Sequence, residues 1–500
     1  MAVPEEIRKV ERPVNTVVVD SKRNGPKRFA VHARKLTKYV RGGNPQPSNG
    51  AVIGHIIGGR YVPAAKKCEE ASEVKAFGGA ALSWSVSQDL LSDLYRCYDA
   101  SEAREILAIA LLRATRKGVT DRRLSAKYRE TYVSEFLPNV GISKNTVSSL
   151  IGKLGMNYSK IVAFMRLRTA RVSADHHVAI DGMLKQDSSD TNDLSNYSFK
   201  SRVRGCDEVS VLYAYDIEER EPICCKVYPG NMIDAVSYRS FISENNIEKG
   251  LIIDDKGFPF RCAEKEFEAR PQLGFLTPLR RNDRRIAKHG MLSFSGRIKT
   301  DEAYVLCRKE GIGSGRYLYS FKDPHTASKE EADYLRRLGG GFSEEDYGKR
   351  KDGFGTIVFE SNMDLPPEVV YKAYADRWLI ELTFRQYKSV LMLDKTRAQE
   401  NTSVIGTEFI DFLSTVVTGR MMRRMEEAKL LDEGSYGDVL DDLNSALKIK
   451  KEGGFVFSAM NPRLIDMLER LGLKKPEAAP REKRKRGRPR KNVSPASDHV

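Results

Sequence analysis

The stretch EVSVLYAYDIEEREPICCKVYPG, residues 208–230, decides the fold. EVSVLYAYD and EPICCKVYPG are dense in β-branched, aromatic and other apolar residues, so they read as two successive strands. Working outward, HHVAID at 176–181 reads as a strand before them. SYRSFISENNI at 237–247 reads as a helix after them, and GLIIDDKGF at 250–258 as a further strand. The order β-β-β-α-β, with a long helix later, predicts an α/β layer fold around a mixed sheet. Residues 263–364, with FLTPLRR, AYVLCRKE, YLYSF and GTIVFE, lean towards β structure and read as an insertion between that core and the later helix.

The flanks have other textures. NTVVVD, RFAVHARK and GHIIGGRYVP, broken by Gly, Pro and Asn, predict a small β-containing arm over 1–72. A helical region follows over 73–172, including EILAIALLRATRKG, which ends at Gly118. In SKNTVSSLIGKLG, Val147, Leu150, Ile151 and Leu154 fall at i, i+3, i+4 and i+7. A helix, a Pro/Gly turn and this short amphipathic helix resemble a helix-turn-helix, which would turn Lys144, Asn145, Ser148 and Ser149 towards DNA; a helical bundle without a ligand fits the same pattern. The core then divides into 173–262 and 365–425, with a helical region at 426–480 and a basic tail at 481–500.

Length and charge narrow the function. Five hundred residues predict several domains. The 84 Lys and Arg against 68 Asp and Glu leave a net charge of +16. That surplus favours a polyanionic partner, with nucleic acid first and a merely basic protein as the plain alternative. Seven cysteines, an odd number with no CxxC pair, indicate neither a disulfide framework nor a zinc knuckle. No apolar signal core opens the chain and no run reaches the length of a membrane span, so the expected setting is cytoplasmic.

The stretch YADRWLIELTFRQYK, 374–388, then raises the question of chemistry. On one helix, Tyr374, Arg377, Glu381 and Lys388 fall within an arc of about 60°. Arg385 lies on the same side. The stripe is either a solvated face or a metal-binding carboxylate set among phosphate contacts. Asp181 ends the apolar run VAID, and Asp254 and Asp255 end LIIDD. Strand-end carboxylates from two adjacent strands, with Glu381 on a helix packed across them, would gather three acids. Such a cluster suits Mg²⁺ or Mn²⁺ and in-line attack on a phosphodiester, although a strand-end Asp is also a common turn former.

These residues resemble a family. An Asp ending a strand, a second Asp in Asp255-Lys256-Gly257-Phe258, and Tyr374, Arg377, Glu381 and Lys388 on one helix look like the DDE insertion-sequence transposases. The resemblance is to the branch with the Tyr-Arg-Glu-Lys signature on a ribonuclease H-like core. YPGNMIDAVSYRSF and GRYVP resemble it too, and the likeness spans most of residues 1–450. It implies Asp181, Asp255 and Glu381 as catalytic ligands of two Mg²⁺ ions, with Mn²⁺ able to substitute. It also implies Tyr374, Arg377 and Lys388 at phosphates of the transposon end. Trp378, beside the stripe, would stack on a displaced base or belong to the core. The partners would be terminal inverted repeats and target DNA, bound by a homodimer or larger homo-oligomer, in cut-and-paste transposition. A nuclease without strand transfer and a non-catalytic DNA-binding protein are the rival readings.

Other features are plainer. His176 and His177 read as strand packing, and RRNDRRIAKH at 280–289 as either a DNA contact or a solvated loop. RKRGRPRK at 484–491 resembles an AT-hook, in which Arg486 and Arg488 would enter a narrow minor groove. A disordered polycation fits the tail equally.

Overall fold

The computed structural model describes residues 3–22, 25–34, 49–64, 73–116, 118–189, 191–198, 205–232, 234–254, 260–300, 303–338, 341–396 and 398–473. Two compact units emerge, the first being Met1–Val74 with Ile449–Phe455 and the second the rest of the chain. In the first, α1 (Glu5–Arg8) precedes an antiparallel sheet in the order β1 (Thr16–Asp20), β2 (Phe29–Arg34), β3 (Asn49–Ile57), β4 (Arg60–Pro63). Gly58 and Gly59 both take positive φ in the two-residue turn between β3 and β4, the geometry that suits a tight hairpin. Val18, Val31 and Ile56 form its small core, with Ile7 packed against them.

After a short strand, β5 (Val74–Ala76), the second unit opens with helices. They are α2 (Gly78–Ser85), α3 (Gln88–Cys97), α4 (Ala100–Thr115), α5 (Asp121–Glu130), α6 (Val133–Phe136), α7 (Lys144–Met156) and α8 (Tyr158–Thr169). The strands β6 (His177–Asp187), β7 (Asp207–Asp216) and β8 (Glu221–Pro229) follow, then α9 (Asp234–Glu244) and β9 (Gly250–Ile253). Next come α10 (Glu264–Ala269), β10 (Leu273–Pro278), α11 (Arg284–Lys288), β11 (Gly296–Lys299), β12 (Tyr304–Gly313) and β13 (Arg316–Lys322). The run continues with α12 (Pro324–Leu338), α13 (Glu344–Arg350), β14 (Thr356–Ser361), α14 (Pro367–Asp376), α15 (Trp378–Ser389) and β15 (Lys395–Thr396). The helices α16 (Asn401–Glu427), α17 (Tyr436–Asn444) and α18 (Pro462–Arg470) close the described part.

Strands β6 to β15 form one ten-stranded mixed sheet, in the order β11-β12-β13-β14-β10-β9-β6-β7-β8 with β15 also on β6. β8, β7 and β6 are antiparallel neighbours, whereas β9 and β10 run parallel to β6. The strands anticipated at 176–258 are therefore present and adjacent. The stretch read as an insertion behaves differently. Its strands β10 to β14 continue the same sheet, because β10 pairs with both β9 and β14.

The helical stretches on either side also share one interior. Over Phe409–Val417, α16 is buried all round, as a central helix must be. α7 lies against it with almost no gap. A Cβ on Gly155 would come within 1.8 Å of the Thr402 carbonyl oxygen, and one on Gly406 within 2.0 Å of that of Ile151. Only glycine permits such an approach. No helix among the described residues is long and apolar enough to cross a membrane.

Candidate active site

β6 is expected to stop at Asp181, yet it runs on to Asp187. Pairing with β7 explains the extension, since it continues in register from Val178–Asp216 to Asp187–Asp207, with Asp181 opposite Tyr213. The other flank is discontinuous. β9 pairs with His177, Val178 and Ala179 and ends there, while β15 joins only at Gln186 and Asp187. Asp181 lies where that flank opens, between an antiparallel neighbour on one side and a parallel strand that has just ended on the other. Such a switch point leaves a crevice beyond the strand ends. The Asp181 side chain is 22% exposed, and its Oδ1 accepts the Gly182 N–H at 2.8 Å.

The facing element is expected as one helix and is two. α14 starts on Pro367, whose fixed φ and missing N–H suit a first turn. It ends at Asp376, and α15 starts at Trp378. At the joint the Arg377 N–H bonds to the Tyr374 carbonyl at 3.3 Å and the Ile380 N–H to the Arg377 carbonyl at 3.1 Å. These are three-residue spacings, a local tightening of the α-helix without Pro or Gly. Ile380, Thr383 and Tyr387 form the buried face of α15. Trp378, Glu381, Arg385 and Lys388 lie on its exposed face, with Trp378 at 52%, so Trp378 is not a core residue.

Arg377 joins the strand acid to the helix acid. One guanidinium nitrogen, Nη1, is 3.8 Å from Asp181 Oδ2, and the other, Nη2, donates to Glu381 Oε1 at 3.2 Å. The first is an ionic contact and the second a hydrogen bond. Behind it the Tyr374 ring lies 5.8 Å from the guanidinium carbon and packs on Phe359 with centroids 4.6 Å apart. Two carboxylates from positions two hundred residues apart thus converge on one cation. The Arg377–Glu381 half is legible as an i, i+4 pair; the Asp181 half is not.

Asp254, the neighbour of Asp255 in LIIDD, is fully buried at the exit of β9. It accepts hydrogen bonds from Tyr238 Oη at 2.7 Å and Thr277 Oγ1 at 3.3 Å. Burial, then the Asp254 charge and hydrogen bond, pushes the Tyr238 phenol well above its ordinary pKa. Asp254 is committed to the interior. Asp255, Arg486 and Arg488 lie outside the described residues.

Lys144 and Asn145 are exposed at the start of α7, whose N-cap Ser143 accepts the Thr146 N–H. His176 and His177 have partners the sequence does not suggest: Asp216 at 2.7 Å and Glu218 at 2.5 Å, respectively. His176, Asp216 and Glu218 could together meet one metal ion. They sit at the opposite end of β6 from the crevice, about 17 Å from Asp181 at the strand rise.

Three comparisons bear on this geometry. No curated protein matches the chain. Among solved structures it is similar to a piggyBac transposase in a cryo-EM synaptic complex with hairpin DNA. The identity is 13% and the TM-score 0.38, over 75% of this chain and 81% of that one. So distant a likeness establishes neither fold nor function. The stretch 176–404, just under half of the chain and the part that holds Asp181, Asp255 and Glu381, matches the family described as the transposase DDE domain.

Proposed function

We propose that the protein is a DDE transposase of an insertion sequence, which cleaves DNA at the ends of its element and joins them to target DNA. The observation that carries this reading is the convergence of Asp181 and Glu381 on Arg377 at the open flank of β6. The order β8-β7-β6-β9-β10, three antiparallel strands continued by two parallel ones, supports a ribonuclease H-like core.

The residues fit a hard divalent cation. Both acids offer oxygen donors only, and they already gather around one positive charge. Asp181 and Glu381 would hold Mg²⁺ or Mn²⁺ together with Asp255, which follows Ile253 by two residues as Asp181 follows Ala179, the register partner of Ile253. Bound there, two such ions supply activation of the attacking oxygen and charge stabilisation of the leaving one. The protein's own groups do the rest. Arg377, which faces both acids, would take a phosphate as a fork. Lys388 and Arg385 extend that contact along the exposed face of α15, and Trp378 stacks on an unpaired base. Lys144 and Asn145 meet the DNA from α7. The partners are terminal inverted repeats and target DNA, bound by a homodimer or larger homo-oligomer, and the setting is cytoplasmic.

The test is a plasmid assay with DNA carrying the inverted repeats that flank the reading frame. Cleavage at both ends and joining to target, dependent on Mg²⁺ or Mn²⁺, is the expected result. Metal-dependent cutting without joining identifies a nuclease instead. End binding with no cutting at any metal concentration identifies a non-catalytic DNA-binding protein.

A further inference from the structure

Four residues beyond Asp181, on the same face of β6, Lys185 is buried, 1% exposed. An ammonium there is costly unless each of its protons finds a partner. All three do. Lys185 Nζ donates to Tyr387 Oη at 3.0 Å, to Asp411 Oδ2 at 3.0 Å and to Glu408 Oε1. Tyr387 in turn donates to Glu408 Oε2 at 2.7 Å, and Arg113 on α4 binds the other oxygen of Asp411. Two cations and two carboxylates, all 7% exposed or less, form a buried network, and Arg113 also binds Asp121 at 3.1 Å on its more exposed side. It joins β6, which carries Asp181, to α15, which carries Glu381, through α16.

Stability does not account for such a network, because well-packed apolar residues usually replace a buried ion pair at no loss. What a buried ion network can add is a fixed registry. That matters here because the helix tightens at Arg377, where α14 gives way to α15, and Glu381 stands one turn beyond that joint. Of the other buried residues of α15, Ile380 is apolar, and Thr383 Oγ1 donates to the Leu379 carbonyl of its own helix at 3.2 Å. We propose that Lys185, Tyr387 and Glu408 are positioning residues that set Glu381 against Asp181 and so tune the affinity of the acid cluster for its divalent ions. The proposal rests on the metal reading above and goes beyond it by assigning the supporting shell.

The test uses the full-length protein and two variants. Tyr387→Phe removes one hydroxyl and leaves the ammonium its two carboxylates. The double variant Lys185→Met with Glu408→Gln removes one charge of each sign and keeps the Arg113–Asp411 pair. Mn²⁺ binding is followed by the electron paramagnetic resonance of the free ion, and Mg²⁺ dependence by the cleavage midpoint. Both variants are expected to melt cooperatively, to bind Mn²⁺ roughly tenfold more weakly and to shift the cleavage midpoint by a similar factor. Maximal rate at saturating metal should fall much less. If both fold and neither midpoint moves, the proposal is overturned. It is also overturned if neither variant folds, since the network is then a stability element. Failure of the underlying metal reading looks different: Asp181→Ala and Glu381→Ala would bind Mn²⁺ as tightly as the wild type.

Discussion

β6 and α15 are joined twice, and the two joints are built on opposite terms. At Asp181 the link is a guanidinium shared between acids that are 22% and 57% exposed, one contact being 3.8 Å long. At Lys185 the link is an ammonium whose three partners are all buried. Water competes at the first joint and screens it, so it is worth little and is easily exchanged. The second is desolvated, and removing one member strands a charge. The difference assigns the labour. On the proposed reading, the cation that would give way to a metal is the loosely held one, and the frame that would fix the distance is held by buried charges.

The largest test of this contrast is on the chemistry. Asp181→Ala and Glu381→Ala should each lower end cleavage by at least about a thousandfold while leaving end binding near wild type. Asp254→Asn should retain cleavage, because its carboxylate is turned to Tyr238 and Thr277, and should show instead as a lower melting temperature. Loss of cleavage in a stably folded Asp254→Asn would transfer the role of second acid from Asp255 to Asp254.

Stability separates the joints next. Lys185→Ala leaves Glu408 and Asp411 short of a cation and should cost about 3–5 kcal/mol in denaturant unfolding. Arg377→Ala should cost no more than about 1 kcal/mol. Equal losses would erase the distinction between a fixed and an exchangeable link. A smaller effect is expected at the rim. Trp378→Ala should barely change stability, given its exposure, and should weaken binding to DNA with unpaired end bases by about 1–3 kcal/mol. An equal loss on fully paired DNA would remove the stacking role.

The smallest effect is on pH. Partial burial pulls the His176 imidazole down, but the hydrogen bond and charge of Asp216 outweigh it and hold its pKa above 6.5. A group raised in the folded state contributes stability that is fully present below its unfolded pKa and is lost as pH rises through the folded one. The wild type should therefore lose a little stability on going from below pH 6.5 to above the raised value. His176→Gln should flatten that slope, and an unchanged slope would leave the pair without energetic weight.

The strand order around 208–230 is legible because each strand there is an apolar run of the right length with turn residues at its ends. The length of β6 is not, since Gly182, Lys185, Gln186 and Asp187 look like a loop until β7 pairs with them. The break at Arg377 is equally hidden, having neither Pro nor Gly to mark it; that guanidinium reaches across to Asp181. The partners of Lys185 lie 202, 223 and 226 residues away in the chain, beyond any local pattern. Local periodicity marks the elements, while the charges that lock them together are chosen across the fold. Lys144, Asn145 and the exposed residues of α15 are legible as surface, because surface follows from the apolar face opposite.

The joint at Arg377 also makes α15 a lever. Glu381 stands six residues from Tyr387, about 9 Å along the axis. With the far end clamped, a tilt of about 5° at the joint carries the carboxylate through roughly 0.8 Å. An error of that size at reacting atoms is enough to cost about a hundredfold in rate. A partner that grips Arg385 or Lys388, on the same exposed face of α15, would therefore act close to Glu381.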